Sequence, residues 1–354
     1  MITPELQLAI DCCRANFVGA TDAGDLAVTQ AIDWERFLRV VRRHRVEALA
    51  ARALHRHHAT VPAAIVADLS SDATRTAQAN LRAANECRRL LAAFHDADVP
   101  VLFVKGLTLS QLAYGDATVK MSSDIDFLVE PSSLPAVAGI LATLGYSLDA
   151  ADMEVGSAAY ERMHRHAKDV PWRNRAGITL EPHTRLTDHP DLIPAIGMAS
   201  PRQEVGVLPG VSLPTLARED LFAYLCVHGA SSAWFRLKWV ADLVGLIGSD
   251  GAEAERLYRL AVRQGAGRAP AQALLVASRL FGLPLPERLR AELCADPANR
   301  ALARMALRQI SDEREPTARP LGTLTIHLSQ LLLRKGLRFK TSEARRQVAQ
   351  VLAR

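Results

Sequence analysis

Apolar residues recur at helical spacing over most of the chain, and one central segment interrupts this pattern. Residues 3–95 read as several helices, and Asp33 is placed to cap one of them. The stretch 62–96 is rich in Ala and Leu, and it predicts one long helix. Helical spacing returns at Arg218 and continues through further helices to Leu333. The pattern therefore predicts two helical blocks that flank a different kind of structure.

The central segment has the short apolar runs and turn residues of β-structure. Two helices are predicted within it, at 107–114 and at 132–144, the second ending before Gly145. Strands are predicted at 101–104, 122–130 and 177–181, with Pro131 and Pro182 ending the last two, and a hairpin at 204–213 around Pro209 and Gly210. We therefore expect an α+β fold with a small mixed β-sheet core at 96–215, an N-terminal helical region at 1–95 and a C-terminal helical domain at 216–354.

Composition places the chain among ordinary globular proteins of the cytoplasm. It has 354 residues, of which 49% are hydrophobic and 23% charged. No apolar run approaches the roughly 18 residues that a membrane span needs, and the N-terminus does not resemble a secretory signal. The five cysteines form no CxxC pair, which favours reduced thiols and argues against a structural zinc site. We therefore expect a cytoplasmic protein without a membrane partner.

The net charge of +5 comes from the end of the chain. Residues 334–354 hold seven basic residues and one acidic residue, whereas the rest of the chain holds 36 basic and 37 acidic residues. A polyanion is one partner for such a tail, but a solvated helix end explains it more simply, since it has one aromatic residue and no stacking pattern. Because the body is near neutral, nucleic acid is disfavoured as a partner.

Several common catalytic motifs are missing from the sequence. It contains no GxxxxGK[ST] phosphate loop, no GxGxxG and no HExxH, and its nearest approach to GxSxG lacks the second glycine. Walker-type ATPases, dinucleotide-dependent dehydrogenases, zinc proteases and hydrolases with a nucleophile elbow therefore receive no support.

The strongest candidate chemistry is the pair Asp124 and Asp126 at the start of a predicted strand. Residues two apart on a strand point to the same face, so both carboxylates would point outward while Ile125 and Phe127 enter the core. Two such charges about 4 Å apart repel by roughly 1–4 kcal/mol, and a divalent cation such as Mg²⁺ relieves that repulsion. Taken alone, the motif fits a solvated strand edge better than a metal site.

The surroundings of the pair favour a phosphate-binding role. Lys105 and Gly106 end the preceding strand and begin a helix, where glycine lets backbone N–H groups approach a phosphate closely. Lys120 lies four residues before Asp124 and is placed to neutralise phosphate charge. Glu181 closes another strand, and it is placed to supply a third carboxylate for a two-metal site.

These residues resemble the uncharacterised nucleotidyltransferase family of the DNA-polymerase-β-like superfamily. The resemblance covers roughly residues 30 to 250. Its segments are Lys105-Gly106 through Lys120 to Ser123-Asp124-Ile125-Asp126-Phe127-Leu128-Val129, then Leu180-Glu181-Pro182-His183, then Leu221 through His228-Gly229, Trp234 and Trp239 to Asp242-Leu243, and more weakly Asp33-Trp34 with His44-Arg45-Val46.

The resemblance implies an Mg²⁺-dependent transfer of a nucleoside monophosphate, with AMP from ATP as the leading case and other NTPs open. It implies metal and catalytic roles for Asp124, Asp126 and Glu181, with two Mg²⁺ ions. The acceptor oxygen attacks the α-phosphorus and pyrophosphate leaves. The acceptor is a small molecule, a peptide or a protein, and peptide modification is an option because similar proteins occur beside peptide-modification genes.

Further residues receive roles from the same resemblance. His183 lies two residues after Glu181, and we place it on the acceptor side. His228 is placed there too, although its apolar helix fits a buried core histidine equally well. Asp242 either shares the site or pairs with Lys238 one turn earlier. The residues expected to hold nucleotide phosphates are Lys105, Gly106, Lys120, Ser122, Ser123 and Lys238, with Thr108 as a further source of a hydroxyl.

The sequence also departs from the pattern of the superfamily. Leu107 follows Gly106 where nucleotidyltransferases commonly carry serine, and Lys120 stands where the family tends to have arginine, which removes bidentate phosphate geometry. Pro182 precedes His183 where the family tends to be apolar or aromatic. These departures leave open a catalytically weak nucleotide-binding or interaction protein. A toxin–antitoxin-type nucleotidyltransferase is a further alternative, which the length of the chain disfavours.

Overall fold

The computed structural model describes residues 2–19, 31–55, 61–149 and 153–352, and within them the chain forms fifteen α-helices and seven β-strands. Four helices come first: α1 (Pro4–Arg14), α2 (Trp34–His44), α3 (Glu47–Leu54) and α4 (Ala63–Asp96). Asp33 caps α2 as predicted, since its side chain accepts a hydrogen bond of 3.0 Å from the Arg36 N–H. The α+β fold class expected from the sequence is confirmed.

The central segment contains all seven strands. Its helices are α5 (Leu107–Tyr114), α6 (Leu134–Thr143) and α7 (Ala158–His166). Its strands are β1 (Leu102–Phe103), β2 (Ile125–Leu128), β3 (Tyr146–Leu148), β4 (Trp172–Asn174), β5 (Thr179–His183), β6 (Arg202–Leu208) and β7 (Val211–Leu216). The predicted bounds of α5 are confirmed. The predicted hairpin is also present, with Gly210 at φ +72° in its turn, and it spans 202–216 where 204–213 was predicted. The sequence prediction missed β3, β4 and α7, whose short segments carry little periodicity.

Five strands form one mixed sheet in the order β1-β2-β5-β4-β3. Only β2 and β5 run parallel, and in their register Asp126 lies opposite Glu181 and Leu128 opposite His183. The other neighbours are antiparallel. The strands β6 and β7 form a separate two-stranded sheet. The parallel pair therefore brings two of the predicted acidic residues side by side.

The prediction that Pro182 ends the third strand is wrong, because β5 continues through it to His183. Successive residues of a strand direct their backbone groups to opposite sides. The His183 carbonyl accepts a hydrogen bond from the Val129 N–H on the β2 side. The backbone nitrogen of Pro182, which carries no hydrogen, therefore faces the β4 side. There the ladder with β4 stops at Leu180 and resumes after the proline, with a bridge between Asp169 and His183. The proline therefore interrupts one ladder of hydrogen bonds and leaves the other intact.

Eight helices complete the chain. They are α8 (Arg218–Ser231), α9 (Leu237–Ile247), α10 (Gly251–Arg263), α11 (Ala269–Phe281), α12 (Glu287–Ala295), α13 (Pro297–Ile310), α14 (Leu324–Leu332) and α15 (Leu337–Leu352). Among the described residues, no helix has both the length and the apolar content that crossing a bilayer requires.

The sheet lies between two hydrophobic cores. One face contributes Ile125, Phe127 and Leu180 to a core completed by α4, α6 and the β6–β7 hairpin. The other face adds Leu128 to a larger core, which is built by α1–α3 together with α8–α11. The first and last helical regions thus share one core, and the division at 95 and 215 stays a prediction.

The basic tail is packed on one side, so a solvated helix end describes only part of it. Phe339 of α15 is buried, with its ring centroid 4.4 Å from that of His189. Glu343 is also buried and accepts from Arg346 at 2.6 Å. Arg338 and Lys340 are exposed. The charge of the tail therefore lies on one face of a docked helix.

Candidate active site

The centre of the site is Asp126, on the sheet face that packs against the C-terminal helices. Both aspartates were expected to face solvent, but Asp126 is only 4% exposed, and this expectation is wrong for it. The reason is that alternation places Asp126 on the same face as Leu128, and that face is covered by the larger core. Asp124 precedes the strand and is half-buried.

A buried lysine and a buried histidine balance the charge of Asp126. Lys105 Nζ lies 2.7 Å from Asp126 Oδ1, and His183 Nε2 lies 3.0 Å from the same oxygen. Burial alone raises the pKa of the Asp126 carboxyl, but Lys105 and His183 bring this pKa well below its ordinary value. Asp126 is therefore an anion held by two donors.

Glu181 lies beside Asp126 on the parallel strand β5. Its Oε2 is 3.7 Å from His183 Nε2 and 4.0 Å from Lys168 Nζ. Burial raises the pKa of Glu181; the His183 hydrogen bond opposes this rise, and the negative charges of Asp126 and Asp169 add to it. Asp169 completes the group, because its Oδ2 accepts from Lys168 at 2.6 Å and lies 3.5 Å from His183 Nδ1.

The donor atoms of Asp126, Glu181 and His183 lie within 4.8 Å of one another, which is compatible with a shared cation. Carboxylate oxygens suit Mg²⁺, and an imidazole nitrogen suits softer metals better. His183 already contacts Asp126 and lies near Asp169, so it suits an outer position that orients a ligating carboxylate. The two carboxylates therefore fit Mg²⁺, and Asp124 lies outside this set of three.

Gly106 positions the start of α5 next to the aspartates. Its φ of +66° and ψ of −122° form a conformation open essentially to glycine. A Cβ atom placed there would lie 3.4 Å from the Ser122 hydroxyl. Sequence analysis explained this glycine by the close approach of a phosphate. The backbone conformation gives a second, independent reason for a glycine at this position.

A cavity of about 140 Å³ opens between α5, the Asp124 loop and the helices α8 and α9. It contains most of the predicted nucleotide-binding residues, and Asp124 and Asp126 lie in its wall. The lining comprises Arg45, Lys105, Gly106, Leu109, Lys120, Ser122, Ser123, Asp124, Asp126, Leu225, His228, Arg236, Lys238, Trp239 and Asp242. Glu181 and His183 do not line it.

Asp242 pairs with Lys120, not with Lys238 as one alternative held. Its Oδ2 lies 3.6 Å from Lys120 Nζ, and its Oδ1 accepts from the Tyr114 hydroxyl at 2.9 Å. Lys238 Nζ donates to the Met121 carbonyl at 3.4 Å. Burial, aided by the nearby charge of Lys120, lowers the pKa of Lys238 to about 7.

The three hydroxyl candidates differ in what they contact. Ser122 and Ser123 line the cavity, where Ser122 donates to the Asp124 carbonyl at 2.9 Å and Ser123 to the Asp124 carboxylate at 3.2 Å. Thr108 is fully buried and donates to the Lys105 carbonyl at 3.2 Å. The serines are therefore the hydroxyls within reach of a ligand.

His228 lies in the cavity wall on α8. Its ring contacts Trp239 edge to face, with 5.6 Å between ring centroids, and lies 5.9 Å from Tyr224. Burial lowers the pKa of His228 well below its ordinary value, and Lys105 adds to the effect. A neutral imidazole in an aromatic setting is thus placed beside the cavity, and its assignment to the acceptor side stays a prediction.

Sequence reasoning gave no site role to several charged residues, namely Arg45, Arg236, Lys168 and Asp169, although Arg45 belongs to the weaker N-terminal segment of the resemblance. Lys168 and Asp169 lie just before β4, which was not predicted. Arg45 directly follows the last residue of α2 and has a φ of +56°, where a glycine or asparagine is the usual choice. An arginine at a predicted helix end was the signal available for it.

Comparison with known proteins identifies the family of the chain. A sequence model of a family described as an uncharacterised nucleotidyltransferase matches residues 30–282. This range spans the sheet, the cavity and the helices α8 and α9. No curated protein matches the chain.

Proposed function

Since the chain belongs to the uncharacterised nucleotidyltransferase family, we propose that it transfers a nucleoside monophosphate to an acceptor and releases pyrophosphate. ATP is the proposed donor, with AMP transferred. The observation that carries the proposal is the register of β2 and β5, which places Asp126 beside Glu181. The adjoining cavity is lined by five basic side chains. Such an arrangement suits a polyphosphate substrate better than a neutral one.

The residues of the cavity divide the work of holding the nucleotide. Gly106 lets the backbone at the start of α5 approach a phosphate oxygen. Lys120 and Lys238 supply ammonium groups, and Ser122 and Ser123 supply hydroxyls. Most of the catalysis would come from this positioning and charge neutralisation, because phosphoryl chemistry needs little else from a protein.

Asp124, Asp126 and Glu181 are the proposed Mg²⁺ ligands. When bound, Mg²⁺ neutralises phosphate charge and orients the α-phosphorus. Lys105 occupies Asp126 Oδ1 at 2.7 Å, so Lys105 would move toward the phosphates when the cation is bound.

The acceptor would approach from the side of Glu181. The Glu181 side chain is 23% exposed and does not line the nucleotide cavity. Because its pKa is raised, Glu181 is suited to take the proton of the attacking hydroxyl. His183 is fully buried, so we propose that it holds Asp126 in place and does not touch the acceptor.

Labelled ATP tests this function directly. With Mg²⁺ and candidate hydroxyl, peptide and protein acceptors, we expect label from α-labelled ATP on the acceptor, and label from γ-labelled ATP in pyrophosphate. Asp124→Asn should abolish transfer, whereas Asp68→Asn, an exposed aspartate on α4, should behave as wild type. Transfer of the γ label alone would mean that the protein is a kinase.

One observation favours a second candidate, a nucleotide-binding protein with little or no turnover. Lys105 binds the carboxylate that a cation would need, and the serine that commonly follows the glycine is replaced by Leu107. Calorimetry with ATP and Mg²⁺ separates the candidates. Tight binding without pyrophosphate release over all acceptors would support the second one.

A further inference from the structure

The charges that line the cavity are not all balanced within the protein. Three of its five basic residues have an acidic partner, whereas Arg45 and Lys238 have none within 4.0 Å among the residues that the structure describes. The three pairs are Lys105 with Asp126 at 2.7 Å, Lys120 with Asp242 at 3.6 Å, and Arg236 with Glu315 at 2.9 Å. The Arg45 guanidinium therefore lacks a close carboxylate partner, although the charge of Asp124 acts on it from beyond this distance, and Lys238 adds a positive charge when it is protonated.

Arg45 reaches the cavity from the N-terminal helical region, through an unusual backbone conformation. It joins α2 to α3 with φ +56° and ψ +45°, the left-handed region that residues with a Cβ rarely adopt. Its side chain is half-buried in the cavity wall. Burial lowers the pKa of Arg45, and the nearby charge of Arg236 adds to this. Such a side chain gains from an anionic ligand.

The two preceding residues fix Arg45 against the helix that carries Lys238. Arg43 donates to the Phe235 carbonyl at 2.5 Å and to the Gln309 carbonyl at 2.9 Å. His44 Nδ1 accepts from the Leu237 N–H at 3.0 Å, at the first residue of α9. The loop that carries Arg45 is thus held at the amino end of α9, next to Lys238.

We propose that Arg45 binds the terminal phosphates of the nucleotide, so that the N-terminal helical region forms part of the substrate site. The identity of the ligand as a nucleotide rests on the proposed function, whereas the polyphosphate site at Arg45 rests on the cavity itself. A guanidinium binds two phosphate oxygens at once, which the lysines of the cavity do not do. With the terminal phosphates at Arg45 and Lys238, the α-phosphate extends toward Asp124 and Asp126.

Binding of inorganic tripolyphosphate without added metal tests the site. We expect wild type to bind it in calorimetry, and Arg45→Met to weaken the binding by about tenfold or more. AMP, which lacks the terminal phosphates, should bind both proteins equally. Arg39→Met on the exposed face of α2 is the control, and it should bind tripolyphosphate as wild type does.

A glycine variant separates binding from folding. Arg45→Gly relieves the left-handed backbone, so it should unfold at least as late as wild type on heating, yet bind tripolyphosphate as weakly as Arg45→Met. Unchanged affinity in either variant, or no binding to wild type, overturns the proposal. If tripolyphosphate binds through Arg45 but no α label is ever transferred, the polyphosphate site stands and the proposed transfer fails.

Discussion

At the scale of single residues, the ion pair of Lys105 and Asp126 makes the candidate site part of the folded core. The Lys105 side chain is 14% exposed and that of Asp126 2%. A buried pair adds little net stability over apolar residues, but removing one partner leaves the other charge buried and unpaired. A substitution aimed at catalysis therefore also changes folding, and activity data alone would not separate the two effects.

Asp126→Asn should consequently lose transfer activity and also lower the free energy of unfolding by up to about 3–5 kcal/mol, because Lys105 keeps a charge without a partner. Adding Lys105→Met should restore most of this stability without restoring activity. Urea unfolding and the α-label assay measure both effects. Asp124→Asn is the contrast, since it should lose activity at unchanged stability. A double variant no more stable than Asp126→Asn would contradict this account.

At the scale of elements, the contact of α5 with α9 sets the width of the cavity. Gly106 begins α5, Lys238 lies in the first turn of α9, and the two helices meet closely further along. A Cβ atom on Gly245 would lie 2.8 Å from the Ala113 carbonyl oxygen. The glycine therefore permits the close packing that holds the two cavity walls at their present distance.

Gly245→Ala should push the two helices apart. We expect a loss of about 1–3 kcal/mol in the free energy of unfolding, together with weaker binding of ATP in calorimetry. Gly139→Ala in α6 is the matched control, because a Cβ atom there meets nothing within 4 Å. That variant should be neutral or more stable by up to about 1 kcal/mol. If Gly245→Ala has the stability and the ATP affinity of wild type, the contact between α5 and α9 does not set the width of the cavity.

At the scale of the whole molecule, His44 links the first helices to the last ones. Its ring accepts the Leu237 N–H, which requires an unprotonated Nδ1. Burial lowers the pKa of His44 from an ordinary 6.5 to about 3, and the charges of Arg43 and Arg236 add to this, while the Ile310 carbonyl acts in the opposite direction. The junction therefore depends on a neutral histidine.

The pH dependence of stability follows from this shift. The unfolded chain takes up a proton at His44 as pH falls below about 6.5, but the folded chain does so only near pH 3. The stabilisation is thus complete above pH 6.5 and decreases between pH 6.5 and 3, by up to about 1.4 kcal/mol per pH unit. Urea unfolding at pH 7, 6, 5 and 4 measures this slope.

His44→Asn provides the comparison, because its amide oxygen keeps an acceptor near Leu237 but does not titrate in this range. The free energy of unfolding of this variant should fall less steeply with decreasing pH than that of wild type, by a slope that corresponds to about one proton. His95→Asn, at an exposed position on α4, should retain the wild-type slope. Parallel curves for wild type and His44→Asn would mean that His44 does not limit stability in acid.

Local features of the chain were predictable because they depend on neighbours in sequence. Helical periodicity predicted α5 within its observed bounds, and a single capping aspartate predicted the start of α2. The pair Asp124 and Asp126, with Gly106 before it, pointed to phosphate and metal chemistry. The three-residue strands β3 and β4 were missed, since strands this short acquire their structure from pairing.

What the sequence alone determined is the two helical blocks, the α+β class and the family to which the acidic motif belongs. Tertiary structure alone decided that Asp126 is buried and paired with Lys105, that His183 contacts Asp126, and that Arg45 enters the cavity. The physical reason is that periodicity reports the local backbone and its exposed face. Strand register and helix packing bring distant segments together, and they determine which charged side chains form pairs.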